Sequence, residues 1–255
     1  MYKPGRETTH SMKLGYAFEI VVTVPDLRES LKFYEKLGYK QLTDTTSPAQ
    51  HDALLTDGMI LLSLRVASAW KTILTNFAEN VAEKVEGFEH LGVSFDEKHE
   101  TGGKITGATL TDPNGLQVDL IQAAPAQVPK PLGKPITKAG QFGELSIETE
   151  DVRRSLDFWT RLGFEPTEYM PASPDSWASI SDGLLTLGIL VKGYCPHIIK
   201  TPSITYFDAE AEERIRKLKE EGMTFVQEIP GENGATGHAV AQAPEGQILF
   251  LFGTS

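Results

Sequence analysis

Two glutamates at matching places in the chain are the first residues that could do chemistry. Glu19 lies in Phe18–Val24, a run rich in β-branched residues that reads as a strand. On a period-two strand Glu19, Val21 and Thr23 share one face, while Ile20, Val22 and Val24 share the other. The wholly apolar face is expected to pack on a helix, which sends Glu19 to the opposite, inner side. A carboxylate there is costly unless it is paired, hydrated or bound to a cation. A paired glutamate is structural. One poised over a carbon acid is a general base. Glu144 repeats it 125 positions later.

The remaining reactive side chains are mostly bland. His10 falls in the N-terminal leader, and His51, His90 and His99 fall in loops or at a helix end. His197 follows Cys195-Pro196 in a loop. His238 lies on an expected strand after Gly231-Glu232-Asn233-Gly234, where it could contact a substrate. Cys195 has no base beside it and reads as a plain thiol. Gly102-Gly103 and the glycines between 231 and 237 lack the Lys-Ser/Thr of a phosphate loop. Trp177 is the aromatic expected to meet a ligand, because its loop position needs no core partner. Phe158 and Trp159 read as core.

The elements that must position these groups follow one pattern. Strand Phe18–Val24 runs into Val24-Pro25-Asp26-Leu27, where Asp26 is a helix N-cap and Glu29 can reach back to it. Leu27, Leu31, Tyr34 and Leu37 make the apolar face, and Gly38 stops the helix. Shifted by 125 positions, Asp26 falls on Asp151, Ser30 on Ser155, Phe33 on Phe158 and Gly38 on Gly163. Tyr34 becomes Trp159, and Asp57-Gly58 becomes Asp182-Gly183. Such a spacing is too long for a solenoid and indicates a duplicated domain.

Within the first copy, strands at Ala53–Thr56 and Met59–Val66 complete a βαβββ unit. A second unit comprises strand Thr72–Phe77, helix Glu79–Leu91 with Gly92 as its stop, and strands at Val93–Phe95, Ile105–Leu110 and Leu116–Ile121. In the second copy, strands are expected at Trp177–Ile180, Leu184–Val191, Ser203–Phe207 and Gln247–Phe252, with a helix from Glu210 to Glu221. Four prolines between Ala123 and Gly140 indicate an extended linker. The expected organisation is a flexible leader over 1–14, a first domain over 15–123, a linker over 124–141 and a second domain over 142–255.

Composition narrows the function classes. Of the 255 residues 40% are hydrophobic and 23% charged, which is globular rather than disordered. A net charge of -11 argues against nucleic acid as a partner. No apolar run is long enough to span a bilayer. A single cysteine excludes an internal disulfide framework. A cytoplasmic protein acting on a small molecule, as monomer or homodimer, is expected.

Four βαβββ units in two tandem pairs resemble the vicinal oxygen chelate superfamily, which includes glyoxalase I, bleomycin-resistance proteins and extradiol dioxygenases. The residues that carry the resemblance are Val24-Pro25-Asp26-Leu27 through Phe33-Tyr34-Glu35-Lys36-Leu37-Gly38, and Asp112-Pro113-Asn114-Gly115-Leu116-Gln117-Val118-Asp119-Leu120. The resemblance implies an α+β fold in which each pair of units forms a half-open barrel with the site in its cup. It also implies metal ligands, usually His, Glu or Gln, on the first strand of each unit and on the last strand. Here those positions fall on Glu19, on Thr72 (or Lys71) and on Asp119. In the second domain they fall on Glu144, Pro202 and Phe250.

The first domain thus keeps two oxygen donors and no histidine, which suits a hard cation better than iron or zinc. Two functions are implied. One is a protein that binds a small organic molecule in a cup without a His-ligated metal, with Glu144, Trp177, His238 and Thr72 as ligand contacts. The other is a metal-dependent lyase, isomerase or dioxygenase with Glu19 and Asp119 as catalytic groups and ligands of a divalent metal. Missing histidines favour the first, and the Glu19–Asp119 pair favours the second.

Overall fold

The computed structural model describes residues 12–42, 51–167, 176–195, 202–231, 234 and 236–254. The first half contains β1 (Ala17–Val24), α1 (Leu27–Lys36), β2 (Lys40–Gln41), β3 (Ala53–Thr56), β4 (Leu61–Val66), β5 (Thr72–Ala78), α2 (Val81–His90), β6 (Glu97–Thr101), β7 (Lys104–Thr111) and β8 (Gln117–Gln122). The second half repeats the order with β9 (Gln141–Thr149), α3 (Val152–Arg161), β10 (Glu165–Pro166), β11 (Trp177–Ser181), β12 (Thr186–Val191), β13 (Ser203–Asp208), α4 (Ala211–Glu220), β14 (Gln227–Pro230), β15 (Thr236–Gln242) and β16 (Ile248–Gly253). No helix among the described residues is long and apolar enough to cross a membrane.

Each half is one mixed eight-stranded sheet, ordered β2-β3-β4-β1-β5-β8-β7-β6 and β10-β11-β12-β9-β13-β16-β15-β14. Two βαβββ units lie side by side in each, joined by the antiparallel pairs β1–β5 and β9–β13. Local chemistry sets the helices. The Asp26 carboxylate accepts from the amides of Arg28 and Glu29 at 3.0 and 3.1 Å, and Asp151 accepts from the amide of Arg154 at 3.0 Å. Glu29 pairs with Lys32 instead of reaching back to the cap. Gly38 and Gly163 end their helices at φ of 95° and 89°, a region that side chains disfavour. One expected strand is misplaced. Residues 93–95 are not extended pairing partners, and β6 begins at Glu97 because its register is set by β7.

The two halves meet through their helix-bearing faces. Apolar residues from both, including Ile20, Tyr34 and Leu62 with Leu145, Trp159 and Tyr206, belong to one contiguous core. The polar contacts across the seam are reciprocal. The turn before β8 reaches α3, where Asn114 Nδ2 donates to Ser155 Oγ at 3.0 Å. The turn before β16 reaches α1, where Glu245 accepts from Ser30 Oγ at 2.7 Å and from Tyr34 Oη at 2.8 Å. Ser30 and Ser155 are equivalent under the repeat, so each domain buttresses the same helical turn of the other. Tyr206 Oη donates to Asp57 Oδ2 at 3.1 Å and hydrogen-bonds the Tyr39 hydroxyl, all within the buried seam.

The proline-rich segment is pinned along its length. Its amides at Gly133, Ile136 and Lys138 donate to the carbonyls of Gly58, Asp57 and Leu37, each at 2.8 Å. Val128 packs on Phe77, and Ala139 joins the core. Most of the expected leader lies outside the described residues. Its last residue, Leu14, is fully buried, and the Met12 thioether packs against Gly87 of α2.

Candidate functional site

Each sheet has a second face, turned away from the seam, and these faces form two cups. In the first, β1 pairs with β5 and β5 with β8, so that Glu19, Thr75 and Asp119 stand in one row. Strand alternation places Glu19 in the cup as expected. Its neighbour on β5 is Thr75. Thr72, expected as a ligand contact, lies three residues away and therefore on the opposite face. There it is buried and donates to Gln247 Oε1 of the other domain at 2.7 Å. Thr72 holds the seam and does not line a cup.

The row in the first cup is splayed. Glu19, fully buried, accepts from the hydroxyl of Ser63 on β4, on the side of β1 away from β5. Asp119 accepts from Thr109 Oγ1 on β7 at 2.9 Å, again on the far side from β5, and from Gln117 Nε2 at 2.8 Å. The buried hydroxyl of Thr75 between them has no hydrogen-bond partner. One end of this cup is covered, since Ala17, Phe77 and Ile121 pack beneath Tyr16 and Val128.

The second cup has the corresponding row Glu144, Thr205 and Phe250. Thr205, three residues beyond the expected Pro202, stands beside Glu144, the same offset that places Thr75 beside Glu19 in the first domain. Here the carboxylate faces open space. Glu144, Ser146, Leu190, Tyr194, Cys195, Phe250 and Phe252 line a half-open cavity of about 450 Å³. Glu144 Oε1 accepts from Ser146 Oγ at 2.9 Å, and Ser146 in turn shares a hydrogen bond of 2.7 Å with Thr205 Oγ1. Burial pushes the Glu144 carboxyl above its ordinary range, and the Ser146 hydroxyl opposes that only partly.

Gly188 is what makes room for this carboxylate. A Cβ there would lie 2.1 Å from Glu144 Oε1. The equivalent residue in the first domain is Ser63, the donor to Glu19. The wall opposite is aromatic. Phe250 and Phe252 stack with centroids 5.2 Å apart, and Phe207 stacks on Phe252 at 6.1 Å.

His238 and Trp177 are both on the cup side. The ring of His238 meets Phe252 edge-on at 5.3 Å, and its Nδ1 accepts from the amide of Gly253 at 2.9 Å. That bond puts the proton of the neutral ring on Nε2. Trp177 pairs with Leu190 and shares its face of the sheet. Sequence reasoning placed Phe250 at a site position of the second cup but missed Ser146, Leu190 and Phe252 as cup residues. The alternation of Ile248, Phe250 and Phe252 along one strand was the available signal.

The donor set does not fit a transition metal. Among the described residues no three His, Cys, Asp or Glu side chains converge. The first row supplies two carboxylates that turn apart and one hydroxyl, without the nitrogen ligands that iron or zinc prefers. The second supplies one carboxylate, a hydroxyl and a phenyl ring.

No protein-family model and no curated protein matches the sequence. Solved structures do. Homoprotocatechuate 2,3-dioxygenase from Arthrobacter globiformis superposes with a TM-score of 0.62 at 14% identity, over 96% of this chain and 81% of that one. An extradiol ring-cleaving dioxygenase from B. fuscum gives 0.61 at 15% identity, over 96% and 73%. The Mn(II)-bound glyoxalase from Novosphingobium aromaticivorans gives 0.61 at 14% identity, over 91% and 79%. Identity this low carries architecture and leaves chemistry to the side chains present. With two eight-stranded sheets, each built of paired βαβββ units, this chain has the vicinal oxygen chelate fold in two tandem domains.

Proposed function

We propose that the protein binds a small organic molecule in the cup of its second domain, without a His-ligated metal. The observation that carries this reading is the cavity of about 450 Å³ bounded by Glu144, Ser146, Leu190 and the Phe250–Phe252 stack. Its size and its apolar walls with a few convergent polar groups are those of a small-molecule site. The first cup is less suited, because Val128 covers one end and its carboxylates are already engaged by sheet neighbours. In the proposed complex the stacked rings receive the apolar body of the ligand. Glu144, steadied by Ser146, orients its polar group, and His238 Nε2 offers a donor at the far wall. Both cups are complete within one chain, so a monomer suffices, and a small molecule in the cytoplasm is the proposed partner.

A second reading, a metal-dependent lyase, isomerase or dioxygenase, has the Glu19–Thr75–Asp119 row and the likeness to an Mn(II)-bound glyoxalase in its favour. The splayed carboxylates and missing nitrogen donors weigh against it.

Ligand-detected NMR with a panel of aromatic and aliphatic small molecules tests the first reading. Binding should saturate at one molecule per chain and be lost in Leu190→Trp, which fills the cavity. Stoichiometric binding that survives Leu190→Trp would move the site elsewhere, and a panel without a single binder would reject the reading.

A further inference from the structure

We propose that the ligand of the second cup is an organic cation: an amine or ammonium group on an apolar, ring-sized body, with Glu144 as its counter-ion. The inference rests on the reading of the second cup as the binding site and adds the chemistry of its occupant.

The first argument is the comparison of the two glutamates. Glu19 and Glu144 occupy the same position of the fold, yet their surroundings differ at one atom group. In the first domain Ser63 fills the neighbouring space and donates to the carboxylate. In the second domain that residue is Gly188, and the space it vacates is taken by the Glu144 carboxylate itself. Around Glu144 the neighbouring strands present Ser146 on β9, Gly188 on β12, Thr205 on β13 and Phe250 on β16. Ser146 donates one hydrogen bond, and Thr205 spends its hydroxyl on Ser146. Among the described residues, none of those that line the cavity is a lysine or arginine. A carboxylate so placed lacks the second and third donors that would offset its loss of water. A ligand N–H⁺ supplies them as charge-assisted hydrogen bonds.

The second argument is the wall. Phe250 and Phe252 are nearly parallel, with 9° between their planes. Their quadrupoles favour a cation over the ring face, and their area receives an apolar body. The third argument is the sign of the field. With a net charge of -11, and with Glu148 four residues along β9 on the same face, the approach to this cup favours cations and disfavours anions. An anionic ligand would meet Glu144 head-on. A neutral one would donate only an uncharged hydrogen bond and leave the carboxylate without a counter-ion.

Isothermal titration of the full-length protein with matched arylalkylamines, alcohols and carboxylates tests the inference. The amines should bind about tenfold or more tightly than the alcohols, the gain of a charge-assisted contact, and the carboxylates most weakly of all. Glu144→Gln should bring the amines down to the affinity of the alcohols. Gly188→Ala keeps the charge but displaces the carboxylate, and it should also erase most of the preference. If wild type binds alcohols as tightly as amines, or if the preference survives Glu144→Gln, the cation is wrong while the cup remains a binding site. If no member of the three series binds, or if binding ignores Leu190→Trp, the underlying reading fails with it.

Discussion

Glu19 and Asp119 stand in one row of the first sheet, two strands apart, with their carboxylates turned away from each other. At ordinary strand spacing their Cα atoms are roughly 10 Å apart. Glu19 bonds outward to Ser63 on β4 and Asp119 outward to Thr109 on β7, so the hydroxyl between them, Thr75, is left without a partner.

That splay predicts the metal content. Protein purified without chelators should carry well under one equivalent of iron, manganese or zinc per chain by elemental analysis. Glu19→Gln should not change it. Stability of that variant should hold or rise, since a buried carboxylate is replaced by an amide whose oxygen still accepts from Ser63. One equivalent of metal in the wild type, lost in Glu19→Gln, would restore the metal-dependent reading.

The serine and glycine at equivalent places should respond unequally. Ser63→Ala removes a donor from a fully buried carboxylate and should cost about 1–3 kcal/mol in urea unfolding. Gly188→Ala should cost well under that, because the atom it meets is the mobile end of Glu144. Equal costs at the two positions would show that the cups treat their glutamates alike.

The Glu144 carboxyl has a defined pH signature. Burial raises its folded-state pKa above the unfolded value. A raised carboxyl contributes stability that is complete below the unfolded pKa of about 4.3 and is lost as pH rises through the folded value. Asp57 and Asp112, also raised by burial, act with the same sign. The difference in melting temperature between wild type and Glu144→Gln isolates the one group. The variant should be relatively less stable near pH 4 and gain on the wild type towards neutrality. A difference that stays flat across that window would contradict the assigned burial.

The reciprocal seam predicts one unfolding unit. Glu245→Ala removes the shared acceptor of Ser30 and Tyr34 and should cost about 1–3 kcal/mol. Thr72→Val should destabilise by about 1 kcal/mol without changing ligand affinity, as expected of a group on the seam. Calorimetry should show a single transition, and limited proteolysis should leave the segment from 124 to 140 largely intact. Two transitions, or early cutting there into two folded fragments, would show instead that the halves fold separately on either side of an extended linker.

Sequence alone determined the duplication, the capped helices and the direction of two side chains. Asp26 and Gly38, with Asp151 and Gly163, are short-range signals read within a dozen residues, and strand alternation is a property of the backbone itself. Glu19 and Glu144 could therefore be assigned to their cups before any strand was paired. Which residues stand beside them could not. Register is a long-range choice, and an offset of three moved the expected neighbour from Thr72 to Thr75 and turned Thr72 onto the seam. The same offset moved the expected neighbour from Pro202 to Thr205 in the second domain. The apolar faces of two sheets likewise look the same in sequence whether they cover separate cores or one. Only the assembled structure joins them and stitches the turn of each domain to the helix of the other. It also leaves Glu144, and not its twin, facing a cavity, because a glycine on a strand far away in the chain declined to fill the space.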